Sequence, residues 1–135
     1  MALIQWDSTF SVNVAEIDRQ HQKLVQMING LNDAMRHGKG KDVLANVIDG
    51  LIGYTRTHFA TEEKYFDQFA YPDRDNHKKE HEEFVKKVSE FREKFEKGQI
   101  GLSIQIMNFL SDWLRNHIMG VDKKYGPFLN EKGLR

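Results

Sequence analysis

The chain has 135 residues, 39% hydrophobic and 30% charged, with Lys plus Arg equal to Asp plus Glu at 20 each. That length suits one domain with one core, and a formal net charge of zero supplies no field to recruit nucleic acid or an anionic membrane. With no cysteine, disulfides, thiolate ligands and a cysteine nucleophile are excluded; no stretch reaches the roughly 20 apolar residues of a membrane span. The expectation is one soluble, cytoplasmic domain over residues 1–135, with no nucleic-acid partner and no membrane insertion.

Trp6, Phe10, Val12 and Val14 suggest an extended N-terminal arm packed along the helical part of the chain. The first helical segment, about 18–37, carries a stripe of Ile17, His21, Leu24, Ile28, Leu31 and Met35 at alternating spacings of four and three, and Gly38-Lys39-Gly40 ends it. The second, about 42–69, places Leu44, Ile48, Leu51, Thr55, His58, Glu62, Tyr65 and Phe69 in register. It turns from aliphatic to polar at His58 and stops at Tyr71-Pro72-Asp73. The third, about 75–97, runs along His77, His81, Phe84, Val88, Phe91 and Phe95 and closes at Gly98 and Gly101. The fourth, about 102–119, turns Ile106, Met107, Leu110, Trp113, Leu114 and His117 inward and ends before Gly120; Gly126-Pro127-Phe128 then suggests an irregular or short helical tail. Long helices joined by short turns predict an all-α protein, an up-down-up-down antiparallel four-helix bundle with an N-terminal extended arm.

Seven polar residues interrupt these apolar stripes: His21, His58, Glu62, His77, His81, His117 and Asp122. At a rise of about 1.5 Å per residue, the distances of these residues from their nearest turns agree to within about 5 Å across adjacent helices, so one layer of the bundle can hold them. His58 with Glu62, and His77 with His81, are each four apart and share a helix face. Asp122 is the exception, because five residues from His117 is roughly 140° around an α-helix; the helix is expected to end or bend near Gly120. Burying so many imidazoles and carboxylates is costly unless something pairs with them, and two metal ions would pair with all seven. If both carboxylates and one oxygen bridge the pair, five imidazoles complete eleven of the twelve positions around two octahedral metals. One position stays open for a small ligand, and nitrogen and oxygen donors without thiolate suit iron.

Taken in order, the lone His21, the H-x-x-x-E of His58 and Glu62, the H-x-x-x-H of His77 and His81 and the H-x-x-x-x-D of His117 and Asp122 make the chain resemble the hemerythrin family, in its single-domain bacterial form. Trp6-Asp7 and Trp113-Leu114 fit the same pattern. The resemblance implies two nonhaem irons with an oxo or hydroxo bridge. His77, His81 and His117 would bind one iron, His21 and His58 the other, and Glu62 and Asp122 would bridge. It also implies reversible dioxygen binding at the two-histidine iron, for carriage, storage or delivery, with an oxygen-consuming protein as a conceivable recipient. Ile28, Phe59, Trp113 and Leu114 are the expected dry wall around the open position.

Competing readings are weaker. His77-Lys78-Lys79-Glu80-His81 also matches the H-x-x-E-H pattern of zinc peptidases, but Glu80 lies about 100° from His81 in a charged run, and that pattern leaves the other histidines without a purpose. Carboxylate-rich diiron oxidases favour Glu-x-x-His motifs, whereas here histidines outnumber carboxylates, so binding is expected rather than enzymatic turnover. An oxygen or redox sensing module, or a diiron enzyme acting on peroxide or nitric oxide, remains the alternative. His37 has no ligand at matching height and is expected to cap its helix or face solvent, and Phe66, Phe84, Phe91 and Phe95 are expected as core.

Overall fold

Each of the four periodic segments folds as a helix, and a fifth helix prolongs the last. The computed structural model describes residues 4–38, 41–97 and 102–135; Lys39, Gly40, Gly98 and Gly101, expected as turn residues, lie outside them. Helix α1 spans Ala15–Arg36, α2 Lys41–Gln68, α3 Arg74–Glu96, α4 Leu102–Asn116 and α5 Lys123–Glu131. Both α1 and α3 pack against α2 and α4, so the four long helices close into a ring in chain order, as short connections require. No strand occurs among the described residues, and none of their helices is long and apolar enough to cross a membrane.

The N-terminal arm is mostly extended, with one 3-10 turn at Ser8–Phe10 whose first amides are held by Asp7, the Thr9 N–H donating to its carboxylate at 2.8 Å. Ile4, Phe10, Val12 and Val14 are buried, and Trp6 stacks on Phe10. Helix α1 starts at Ala15, earlier than expected, and its N-cap Val14 offers no side-chain bond. Asp18, where the helix was expected to begin, lies inside the first turn and reaches back instead. Its carboxylate accepts from Ser11 Oγ at 2.6 Å and from the Val12 N–H at 2.9 Å, and its charge also suits a helix N-terminus.

Helix α2 ends where Ala70 takes a left-handed φ of 54°. The Tyr71 N–H then donates back to the Phe66 carbonyl at 2.9 Å, which satisfies one of the last free carbonyls. One detail of the α2 stripe differs from expectation. After Glu62 the buried position is Phe66, while Tyr65 and Phe69 flank it half-exposed, because a 3.6-residue period favours the step of four here over three. On α3 the buried residues are His77, His81, Phe84, Val88, Phe91 and Phe95, the expected stripe.

Two apolar clusters result. The larger contains Leu24, Ile28, Leu31, Leu51, Phe59, Phe84, Val88, Leu110 and Leu114 among others. The smaller gathers Val12, Val14, Ile17, Phe66, Tyr71, Tyr125 and Leu129, where the arm meets α5 and the adjoining ends of α1 and α2. Fully buried aliphatic side chains such as Leu31, Leu51 and Leu110 each contribute about 1.5–3 kcal/mol. Between the clusters lies a layer of histidines and carboxylates that contributes nothing of this kind, touched by Phe59 stacked on His81 from one side and by Phe66 edge-on to His77 from the other.

Candidate metal centre

All seven polar residues singled out from the stripes are buried, none more than 3% exposed, and they meet in that layer. The five imidazoles all direct Nε2 inward. His21 Nε2 lies 3.1 Å from Asp122 Oδ2, His77 Nε2 2.8 Å and His117 Nε2 3.0 Å from Asp122 Oδ1. His58 Nε2 lies 3.0 Å and His81 Nε2 3.4 Å from Glu62 Oε1, with His77 Nε2 3.9 Å from Glu62 Oε2. The donor atoms fall into two sets, each within 4.8 Å of one another: Glu62, His77, His81, His117 and Asp122, and His21, His58, Glu62 and Asp122. Both carboxylates belong to both sets.

Asp122 reaches the layer by a route that differs from the sequence expectation. The helix does not end at Gly120: helical residues run without a break from Leu102 to Glu131, and His117–Asp122 is a π-helical segment. Closure by i to i+5 bonds puts one extra residue in the turn, so residues five apart come to the same face, as residues four apart do in an α-helix. Gly120 has neither a positive φ nor a neighbour within 4 Å of where a Cβ would stand, so it is not a turn glycine. The tail is α5, and Gly126 serves a close approach rather than a break. A Cβ there would lie 2.5 Å from the Val12 carbonyl oxygen.

Two hydrogen bonds fix which nitrogen carries the proton on two of the rings. His58 Nδ1 sits 2.7 Å from Gln20 Oε1. The Gln20 amide is oriented by donating to Thr61 Oγ1 at 3.2 Å, and Thr61 in turn donates to the Thr57 carbonyl at 3.1 Å. The chain of donors leaves Gln20 only an acceptor for His58, so His58 Nδ1 is protonated and Nε2 offers a lone pair to the centre. His81 Nδ1 donates to Glu63 Oε2 at 3.0 Å, with the same consequence. Neither Gln20 nor Glu63 was expected from sequence. Glu80, weighed as a peptidase base, is instead half-exposed on the outer side of His117, 3.8 Å from its Nδ1, too far for a hydrogen bond. His37 is exposed at the end of α1 with Nδ1 2.7 Å from the Asp33 carbonyl oxygen.

The inward atoms are close but not hydrogen-bonded. Nε2 of His21, His77, His81 and His117 and all four oxygens of Glu62 and Asp122 are buried without a properly aligned partner. Natural proteins satisfy nearly all such groups. Here lone pairs from both residue types point at shared points in space, an arrangement that suits cations and that hydrogen bonds alone do not explain. This donor set therefore fits a pair of metal ions.

Charge supports the same use. In the metal-free chain burial raises the Glu62 carboxyl and the Asp122 charge raises it further, but the positive charge that His58 carries when protonated there, with the contacts from His58 and His81, outweighs both and holds it below the usual carboxylate range. Burial likewise raises Asp122, yet the charge of His117 and the approach of His117, His21 and His77 hold it well below its ordinary value. His117 is lowered by burial but raised more by Asp122, Glu62 and Glu80. Tyr125, fully buried, is pushed well above its ordinary value by burial and then by Glu62 and Asp122, so its hydroxyl keeps its proton.

Against this layer lies a small cavity of about 10 Å³, lined by His21, His58, His117 and Asp122 on one side. Ile28, Phe59, Trp113 and Leu114, the four residues expected as an apolar wall, all line it, together with Leu24, Leu51, Thr55 and Phe84, which were not singled out for it. A volume of this order admits about one water-sized molecule.

The comparisons with known proteins point to one family. Residues 12–129 match the family model of the hemerythrin HHE cation binding domain. The bacteriohemerythrin of Stenotrophomonas maltophilia (strain R551-3) is 37% identical over 125 residues, 93% of this chain and 80% of that protein. The bacteriohemerythrin of Methylococcus capsulatus (strain ATCC 33009 / NCIMB 11132 / Bath) is 36% identical over 131 residues, 96% of this chain and 99% of its own length. A crystal structure of wild-type hemerythrin superposes with a TM-score of 0.87 at 35% identity, covering 93% of this chain and 97% of that one. The match spans nearly all the helices that build the layer, and the chain belongs to the hemerythrin family.

Proposed function

We propose that this protein, a single hemerythrin-like domain, holds two nonhaem irons in the buried layer and binds dioxygen reversibly. His77, His81 and His117 would hold one iron, His21 and His58 the other, and Glu62 and Asp122 would bridge them; the two overlapping donor sets support that division. When bound, the irons supply reversible exchange of electrons with dioxygen.

The observation that carries the reading is the position of the cavity. It borders both His21 and His58 of the smaller histidine set but only His117 of the larger, and His77, His81 and Glu62 are absent from its lining. A ligand of about one water's size would enter on that side, next to the residues that would hold the two-histidine iron. The wall is apolar except for Thr55, the one hydroxyl among the lining side chains, and Thr55 donates its proton to the Leu51 carbonyl at 2.7 Å. The largely apolar wall disfavours water and supplies no free hydroxyl proton, which favours release of the ligand intact.

Carriage, storage or delivery of dioxygen in the cytoplasm is the role proposed, and binding rather than turnover the activity. Five histidines with two carboxylates leave less anionic charge on the irons than carboxylate-rich sites provide. The test is repeated oxygenation and deoxygenation of the reduced, iron-loaded protein, followed by absorption and by an oxygen electrode. A carrier returns its oxygen in every cycle and develops a reversible charge-transfer band. Net consumption of oxygen over cycles would identify an oxidase instead.

A further inference from the structure

The hydrogen bonds behind His58 and His81 differ in charge, and the two rings belong to different donor sets. His81, in the three-histidine set, is backed by the carboxylate of Glu63, whereas His58, in the two-histidine set, is backed by the neutral amide of Gln20. We infer that Glu63 and Gln20 are positioning residues that make the two metal positions unequal from outside: the Glu63 carboxylate strengthens the three-histidine position through His81, and the Gln20 amide leaves the two-histidine position the weaker and more exchangeable. The inference rests on the proposed dimetal site.

The physical basis is the polarisation of the imidazole. A carboxylate accepting from Nδ1–H pulls that proton outward and makes Nε2 a better donor, and a charge-assisted bond is roughly twice as strong as a neutral one. The amide fixes the His58 ring and its tautomer as well as the carboxylate fixes His81, so orientation is comparable and charge is the difference. Glu63 is placed to act on His81 rather than directly on a metal. Its side chain is 33% exposed in a groove between α2 and α3 that also carries Arg56, Glu82 and Lys86, while the His81 ring beside it is buried against Phe59. The rings of His21 and His77 have no partner on Nδ1, so among the five imidazoles only His58 and His81 carry this external setting at hydrogen-bond distance.

The test is titration of the metal-free full chain with cobalt(II), read by absorption and calorimetry, for wild type, Glu63→Gln, Gln20→Glu and the double variant, each checked for helical content. Wild type is expected to take up two cobalt ions in unequal steps. Glu63→Gln should weaken the tighter step by about 10- to 100-fold, the usual cost of losing such a partner, and leave the weaker step unchanged. Gln20→Glu should strengthen the weaker step, and the double variant should narrow or reverse the gap. In the iron-loaded protein, Glu63→Gln should raise the midpoint potential and Gln20→Glu lower it. Equal weakening of both steps in Glu63→Gln, or loss rather than gain in Gln20→Glu, would overturn the inference while leaving the dimetal site standing. Failure of folded wild type to bind two ions would overturn both.

Discussion

Substitution of Gly126 tests how closely the helix that carries Asp122 is held against the N-terminal arm. A Cβ on Gly126 would stand 2.5 Å from the Val12 carbonyl oxygen and 3.4 Å from its carbon, and both are backbone atoms that no rotamer change can move. Restoring ordinary contact needs a separation of about 0.9 Å between α5 and the arm, judged against the 3.4 Å at which normal packing begins. The arm cannot yield freely. Asp18 holds Ser11 and Val12, and Asn130 Nδ2 donates to the Asn13 carbonyl at 2.9 Å.

Alanine gains about 1 kcal/mol over glycine in a helix, while overpacking costs about 1–3 kcal/mol. Because rigid backbone is involved on both sides, the upper part of that range applies, and Gly126→Ala should destabilise the metal-free protein by about 1–2 kcal/mol. Gly53, exposed in α2 with nothing within 4 Å of its missing Cβ, is the control, and Gly53→Ala should stabilise by about 1 kcal/mol. Urea unfolding followed by circular dichroism measures both. Equal shifts in the two variants would refute the close approach and the placement of the helix that carries Asp122.

His58→Ala should remove a ligand next to the cavity and abolish reversible oxygen binding, whereas His37→Ala, at an exposed helix end, should leave it intact; oxygen-binding spectra distinguish them, and the reverse pattern would contradict the assignment. The pH dependence of stability should change sign with metal content. Without metal, His117, raised above its ordinary value chiefly by Asp122 against burial, stabilises the fold below that value and ceases to do so as pH rises through its folded pKa. Glu62 and Asp122, both depressed, go on stabilising until strong acid. With metal, the imidazoles must be neutral and acid expels the ions. Thermal unfolding between about pH 5 and 8 should therefore show stability rising towards acid for the metal-free protein and falling for the loaded one, and parallel slopes would rule this linkage out.

The helices and the seven inward residues could be read from the chain because both depend on periodicity. Spacings of three and four mark a face whatever occupies it, so His77, His81, Phe84 and Val88 announce one stripe, polar at one end and apolar beyond. What was hidden depends on contacts across the bundle. Gln20 meets His58 from 38 positions away and Glu63 meets His81 from 18, and in sequence each is merely one more polar residue next to a buried one. Gly126 was hidden for a related reason. Beside Pro127 it resembles a helix breaker, and only the arm lying across it shows that the missing side chain makes room for Val12. The path of Asp122 was illegible because a single helical period, carried through the whole of the last helix, points its carboxylate the wrong way.

That local change of period is the point at which stability and function meet. A regular α-helix continuing from His117 would turn Asp122 away from the layer, and a break at Gly120 would sacrifice α5, whose Tyr125 and Leu129 are fully buried in the smaller apolar cluster. Widening the helix by one residue keeps both, since the carboxylate returns to the histidines while the chain continues into the packing that anchors it. Without metal, the layer it completes contains buried donor atoms with no aligned partners, so the metal-free fold carries a desolvation penalty that bound cations would offset. A ligand that binds only the folded state adds its binding free energy to stability, about 2.7 kcal/mol at a hundred times its dissociation constant. Metal content and fold stability should then rise and fall together, with the π-helical turn as the structural link between them.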